Sequence, residues 1–239
     1  MSRSNDYSAI YLGQPRTKQP QQPPNKPQTN KENQMNTKTT TTHTTSTGLA
    51  DLTKIIEAVA LHASTDRTRY ALTGIYITPE NITATDSYTL AQWTPAEPIT
   101  TGQPALIDAR ELTTALKNLN KAAAKTPATA TLTTTGQTWQ LTATSEQTTI
   151  GSYNGQTINA EHPNTKQLLD TTTPATTPFE PTGFNADYLE RITKAHNKLA
   201  KNTPLKMTTW QAPTRPVIFT TTNHAGQLLS LIMPQRINQ

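Results

Sequence analysis

Residues 104–127 read "PALIDARELTTALKNLNKAAAKTP", and residues 181–204 read "PTGFNADYLERITKAHNKLAKNTP". The two stretches follow one plan. In the first, the short apolar run before Asp108 predicts a strand, and Asp108 stands where a helix N-cap belongs. Leu112, Leu116 and Leu119 or Ala123 then recur along one helical face. In the second, Asn185 takes the N-cap position, and Leu189, Ile192, Ala195 and Leu199 form the face. The pattern Asp108-Ala109-x-x-Leu112 matches Asn185-Ala186-x-x-Leu189, and Pro127 and Pro204 stop both helices. A third version lies upstream in "TSTGLADLTKIIEAVALHAS" (45–64), with Leu49, Leu52, Ile55, Ile56, Val59 and Leu61 or Ala63 at helical spacing.

Each helix is followed by strand-like segments rich in threonine, a β-branched residue that packs well on a pleated surface. After the first come "RYALTGIYIT" (69–78), "NITAT" (81–85) and "YTLAQW" (88–93). After the second come "ATATLTTT" (128–135), "QTWQLTAT" (137–144) and a run ending at Tyr153. After the third come "PLKMTTW" (204–210), "PVIFTTT" (216–222) and "QLLSLIM" (227–233). Turn residues separate them at Pro79-Glu80-Asn81, Thr135-Gly136 and Asn223-His224-Ala225-Gly226. The unit is strand–helix–three strands, present three times. A repeat of this length signals units packed side by side. The fold class is α+β.

Composition bounds the function. The 239 residues contain no cysteine, which excludes a disulfide framework and thiolate metal sites. The five histidines show no ligand spacing. No run approaches the roughly 18 apolar residues of a membrane span, and the N-terminus carries no secretion signal, so a cytoplasmic protein is expected. No nucleophile–base pair, metal spacing or phosphate loop stands out. Asp86 and His162 read as turn and linker positions, so neither enzyme activity nor a cofactor is expected.

The net charge of +5 is unevenly placed. Residues 1–48 hold six basic side chains (Arg3, Arg16, Lys18, Lys26, Lys31 and Lys38) against Asp6 and Glu32, so the remainder is close to neutral. The stretch "QPRTKQPQQPPNKPQTNKENQ" (14–34) has no apolar residue, and residues 1–37 are expected to be a disordered basic tail rich in Pro, Gln and Asn. Within it, "YSAIYLG" (7–13) is an apolar island, either a leftover patch or a linear partner motif. Beyond the tail, Lys117, Lys121 and Lys125 recur every four residues on the second helix, and Arg191, Lys194, Lys198 and Lys201 form a similar stripe on the third. Composition leaves two readings open: solvated helix faces, or two basic helices facing one polyanion through backbone contacts.

The chain resembles the bacterial replicative sliding clamp, the beta subunit of DNA polymerase III, over roughly residues 45–238. "RYALTGIYI" (69–77) is similar to the strand opening the clamp's middle domain. "ATDSYTLA" (84–91) is similar to a loop written Ala-Thr-Asp-Gly-His-Arg-Leu-Ala in many clamps. "YNGQTINAEHPNTKQLL" (153–169) resembles that domain's closing strand and linker, and "GFNADYL" (183–189) the start of the last helix. "PVIFTT" and "LIMPQRI" (231–237) resemble the penultimate strand and the Met-Pro-x-Arg-Leu ending. Five matches in order, over the threefold repeat, make the resemblance specific.

The resemblance implies a DNA-clamp fold, with the helices on one face of a curved antiparallel sheet shell and turned toward duplex DNA. It gives the stripes Lys117, Lys121, Lys125, Arg191, Lys194, Lys198 and Lys201 a partner in double-stranded DNA, bound without sequence specificity. It also implies a hydrophobic peptide pocket. There a DNA polymerase and other replication proteins dock a Gln-x-x-Leu-Phe-like segment, and a clamp loader is a further implied partner. Carried over by motif, the pocket comprises Leu72, Thr85, Ser87, Tyr88, Thr89, Leu90, Pro163, Leu168, Pro216, Leu231, Met233, Pro234, Gln235, Arg236 and Ile237. Ser87 and Thr89 replace the common Gly and Arg, and Gln235 a common Met, which puts ligand preference in question.

The chain is a shortened form, with three units where a clamp subunit has six. Residues 38–172 are expected to form one complete clamp-type domain resembling the middle domain, and 173–239 a half domain carrying the C-terminal pocket segment. The first two units would then satisfy each other and leave the third to pair with a second chain, which predicts a homo-oligomer. A processivity factor is the leading function. The alternative is a non-encircling module that sequesters or regulates clamp-binding proteins.

Overall fold

A computed structural model describes residues 45–96, 103–135, 137–170, 183–208 and 215–235, all within one compact unit, Thr40–Gln239. The tail, its "YSAIYLG" island, Arg236 and Ile237 lie outside the described residues. The first unit comprises β1 (Thr45–Gly48), α1 (Leu49–Ala60), β2 (Gly74–Ile77), β3 (Ile82–Thr85) and β4 (Thr89–Pro95). The second comprises β5 (Ala105–Asp108), α2 (Ala109–Ala123), β6 (Thr129–Thr135), β7 (Thr138–Ser145) and β8 (Thr148–Gln156). After α3 (Thr165–Asp170), the third runs α4 (Ala186–Leu199), β9 (Lys206–Thr208), β10 (Val217–Asn223) and β11 (Gly226–Ile232).

The caps fall where the spacing puts them. The Asp108 carboxylate accepts from the Arg110 and Glu111 amides at 2.9 and 3.0 Å, and the Asn185 side chain accepts from the Asp187 amide at 2.8 Å. Two local readings differ. Tyr70–Thr73, read as strand, is a 3-10 turn, because the Leu72 carbonyl accepts from Ser64 N–H and the Tyr70 carbonyl from the Thr73 hydroxyl. The linker also holds the unforeseen α3, started by Asn164, whose side chain accepts from Gln167 N–H at 3.0 Å.

The first two units exchange their leading strands. β1 pairs with β6, Thr45 opposite Leu132, while β5 pairs with β2, Gly74 opposite Asp108. This gives a four-stranded sheet, β1-β6-β7-β8, and extends the first unit's own sheet to β5-β2-β3-β4. Gly74 lets the strands come close at the exchange, since a Cβ there would lie 2.6 Å from the Leu106 side chain and force it to shift. All strand pairs are antiparallel.

The third unit does not wait for another chain. β11 pairs with β4 along seven residues, Gly226 opposite Pro95 and Ile232 opposite Thr89, so β11, β10 and β9 extend one sheet to seven strands. At the start of that seam Gly226 has φ +152°, and a Cβ there would lie 2.3 Å from the Thr94 carbonyl oxygen, so only glycine fits. On the helix side, α1 packs against both α2 and α4. The expectation that Leu189, Ile192 and Leu199 need a second chain is therefore corrected. Ile192 is buried with Val217, Phe219 and Ile232, and Leu199 packs on the main core around Ile56, Trp93 and Leu116. The three long helices share one face. The short α3 lies on the other, where its Leu169 meets Leu90, the neighbour of core-facing Ala91.

Candidate functional site

The turn between β3 and β4 is built around one carboxylate. Asp86 Oδ1 accepts from Tyr88 N–H (2.9 Å), Thr89 N–H (2.7 Å) and the Thr89 hydroxyl (3.1 Å), an Asx-type arrangement that suits a tight turn. Thr85 Oγ1 donates to the Thr89 carbonyl at 2.7 Å. Ser87 sits at φ +78°, the left-handed region that favours glycine, and its hydroxyl accepts from Arg69. The other Asp86 oxygen accepts from the Arg191 guanidinium on α4, which also reaches the Thr89 hydroxyl at 3.3 Å. Burial pushes the Asp86 carboxyl up, but the two turn amides and Arg191 outweigh it and hold it below the ordinary carboxylate range. Tyr88 is 54% exposed and stacks on Tyr188 of α4 at 5.7 Å, with the Arg191 guanidinium 5.1 Å from the Tyr188 ring centre.

Strand register places an apolar row beside this turn. Thr85 lies opposite Leu90, Leu90 opposite Leu231, and Leu231 opposite Ile218. Leu90, Ile218 and Leu231 are buried together, with Leu169, Leu229 and Met233 packed against them. Met233 N–H donates to the Tyr88 carbonyl at 3.0 Å and so ties the C-terminal segment to the turn. Beside the row opens a cleft of about 760 Å³, floored by Tyr76, Thr83 and Gln92 and walled by Pro163, Thr165 and Leu169. His162 stacks on Tyr76 at 4.8 Å in its lining.

Of the expected pocket residues, Thr85, Ser87, Tyr88, Thr89, Leu90, Leu231 and Met233 come together here, and Pro163 borders the adjoining cleft. Pro216 is buried just before β10, and Pro234 and Gln235 continue from Met233, with Gln235 N–H donating to the Gly183 carbonyl at 2.8 Å. Two expected positions lie outside the buried cluster. Leu169, not Leu168, is the α3 leucine in the cluster, because the helix turns Leu168 outward to 40% exposure. Leu72 sits half-buried in the 3-10 turn and outside the cluster. Ile218 and Leu229 were missed. The Asn223–Gly226 turn could have found Ile218, since a two-residue hairpin loop fixes the register that sets it opposite Leu231.

Most of the basic side chains sit on the helix layer, but Lys125 and Lys201, expected on the helical stripes, lie in the turns just past α2 and α4. Lys121, Lys125 and Lys201 are exposed and have no carboxylate within 4.0 Å among the described residues. Lys194 pairs with Glu190 at 2.8 Å. Lys117 and Lys198 converge from α2 and α4 on Glu57 of α1, at 3.6 and 2.8 Å. Burial raises the Glu57 carboxyl, but the two lysines outweigh it and leave it below its ordinary range. Arg191 is corrected: it is spent on Asp86 and Thr89 at the β4–β11 seam and is not part of an open stripe. No cluster of three or more His, Cys, Asp or Glu able to hold a metal occurs among the described residues.

No protein-family model matches the chain, and no curated protein matches it in sequence. Solved structures do. The chain is similar to the DNA polymerase III beta subunit of Thermotoga maritima, with TM-score 0.59 and 15% identity over 82% of this chain and 66% of that one. It is similar to the DNA polymerase sliding clamp of Caulobacter crescentus, with TM-score 0.61 and 16% identity over 82% and 66%. It is also similar to the beta subunit from the DNA polymerase of Streptococcus pyogenes, with TM-score 0.58 and 18% identity over 80% and 65%. The chain thus spans just under two thirds of these subunits. At such identities the likeness concerns architecture alone: this α+β chain of repeated strand–helix–strands units has the fold of the bacterial DNA sliding clamp.

Proposed function

We propose that the chain is a non-enzymatic, clamp-type processivity factor of the cytoplasm. It docks replication proteins by a short peptide and holds duplex DNA, without reading its sequence, against its helix layer. The observation that carries the reading is the apolar row Leu90–Leu231–Ile218 with Met233 and Leu169 beside an open cleft. β4, β10, β11 and α3 come from distant parts of the chain, and simple core packing does not call for an open cleft beside their junction. A pocket of this kind buries one or two aliphatic or aromatic anchors of an extended peptide, and the flexible Met233 adapts to them. The test is titration of a Gln-x-x-Leu-Phe peptide into the chain. Binding on the order of micromolar is expected of so small a site, and no binding at millimolar peptide removes the claim.

The DNA part rests on Lys121, Lys125 and Lys201, which leave the helix face free for phosphate contacts. Such contacts give affinity that falls with salt and ignores sequence. The net positive charge of the tail can itself attract DNA, so the measurement belongs on a chain starting near Met35.

Residues 38–172 act in this reading as the complete clamp-type domain, which the reciprocal exchange of β1 and β5 supports, and 173–239 as a half domain. The pairing of Lys117 and Lys198 with Glu57, and of Arg191 with Asp86, takes three basic groups out of the helix layer and favours a second reading, a module that binds the same peptides without encircling DNA. Retention on nicked circular DNA after a salt wash, followed by release on linearisation, separates the two.

A further inference from the structure

We propose that the cleft beside the apolar row is a second subsite of the same pocket, one that takes a lysine or arginine flanking the anchor residues of a docked peptide. The inference rests on the peptide reading above and adds to it the charge of the partner segment.

Strand register makes the cleft continuous with the row. Tyr76 lies opposite Thr83, Thr83 opposite Gln92, and Gln92 opposite Leu229. This ladder runs beside Thr85–Leu90–Leu231, displaced by two residues along each strand, and side chains two apart share one face. Leu229 packs on the apolar cluster, Tyr76, Thr83 and Gln92 floor the cleft, and Leu169 of α3 borders both. With strands about 4.8 Å apart and about 3.3 Å per residue, Tyr76 lies about 12 Å from Leu90. An extended peptide covers that distance in three to four residues.

The cleft differs from the row in its charge. Glu80 enters it from the turn between β2 and β3, and Glu161 from the segment that precedes Pro163. Neither has a cationic side chain within 4.0 Å among the described residues. Lys166, the one ammonium in the lining, is taken by Asp170 beside it. His162 does not offset the carboxylates, because burial lowers its pKa and leaves the ring neutral at pH 7. The lining therefore carries a net negative charge.

The floor and the rim together fit one kind of side chain. Tyr76 and His162 stack at 4.8 Å with their planes 8° apart, a flat surface next to Leu169. A lysine or arginine lays its aliphatic stem on such a surface and carries its head to the carboxylates at the rim. An acidic flank meets like charge there, and so does a phosphate. The formal charge of the whole chain is +5, so its overall field favours acidic peptides. A preference for a basic flank therefore has to come from the cleft.

The test uses the full chain and labelled Gln-Ala-Ala-Leu-Phe peptides, extended on one side or the other by Lys-Lys, Ala-Ala or Glu-Glu and read by fluorescence anisotropy. An exposed ion pair shifts affinity by up to about fivefold. On one of the two sides, the Lys-Lys peptide should bind roughly tenfold tighter than the Glu-Glu peptide at about 20 mM salt, and the gap should shrink at about 0.5 M salt. Glu80→Gln with Glu161→Gln should abolish the preference and leave the affinity for the Ala-Ala peptide unchanged, which a misfolded variant cannot do. Equal binding of all three flanks on both sides, or tighter binding of the Glu-Glu peptide, overturns the subsite while the pocket stands. A Lys-Lys preference that survives the double substitution overturns it too, since the contact then lies elsewhere. If the Ala-Ala peptides do not bind the wild type at all, the pocket reading falls and the subsite falls with it.

Discussion

The seam between the first and third units should make the protein sensitive to mild acid, and His62 and His196 set the size of the effect. His62 follows α1, is fully buried, and has no hydrogen-bond partner for either ring nitrogen among the described residues. Burial, with the nearby Arg191 charge adding to it, pushes its pKa from 6.5 to about 3. His196 on α4 pairs through Nδ1 with the Thr221 hydroxyl at 2.8 Å, and burial lowers it to about 4. Both are neutral when folded and take a proton more readily when unfolded, so the unfolded state binds more protons below pH 6.5 and stability falls as pH falls. From pH 7 to 5 each histidine costs about 2 kcal/mol, or about 4 kcal/mol together, a large part of a typical 5–15 kcal/mol. Asp86 and Glu57 have the same sign, because their lowered carboxyls also leave the unfolded state binding more protons, but they act mainly below their ordinary values of 3.8 and 4.5 and add little in this window. His62→Leu should cost little at pH 7, since it removes two unsatisfied buried polar atoms, and should halve the acid loss to about 2 kcal/mol. Urea unfolding at half-unit pH steps measures both. If the leucine variant keeps the wild-type slope between pH 7 and 5, His62 is not the group that titrates and the reasoning fails.

Met233→Ala should weaken binding of a Gln-x-x-Leu-Phe peptide by roughly 1–2 kcal/mol, read by fluorescence anisotropy, because it removes an apolar wall next to Leu90 and Leu231. Lys121→Glu with Lys125→Glu, in a chain starting near Met35, should weaken duplex binding equally for unrelated sequences and flatten the salt dependence by about one per lost phosphate contact. Glu57→Gln should act the other way: it frees Lys117 and Lys198 and should steepen the same salt dependence by up to about two. An unchanged slope in that variant would mean the two lysines do not reach phosphate.

The repeat was legible in the sequence because its signals are local. Helical spacing around Leu112 and Leu189, caps at Asp108 and Asn185, and turns such as Asn223–Gly226 depend on residues a few positions apart, and each element formed as its own stretch dictates. Lys117, Lys121, Lys194 and Lys198 could be placed on helices for the same reason, whereas Lys125 and Lys201 fall just past the ends of α2 and α4. What the lysines and Arg191 face could not be read. Glu57 collects Lys117 and Lys198 from neighbouring helices, and Asp86 takes Arg191 from 105 positions away, so those pairings exist only once the helices are packed. The exchange of β1 and β5 and the β4–β11 seam are likewise pairings between strands far apart in the chain. Any edge carrying threonine and small apolar residues satisfies backbone hydrogen bonds equally well, so sequence alone left the third unit in want of a partner. Tertiary structure chose the partner because two features coincide there: Gly226 lets the backbones close on Thr94, and α4 can lie against α1 on the same face.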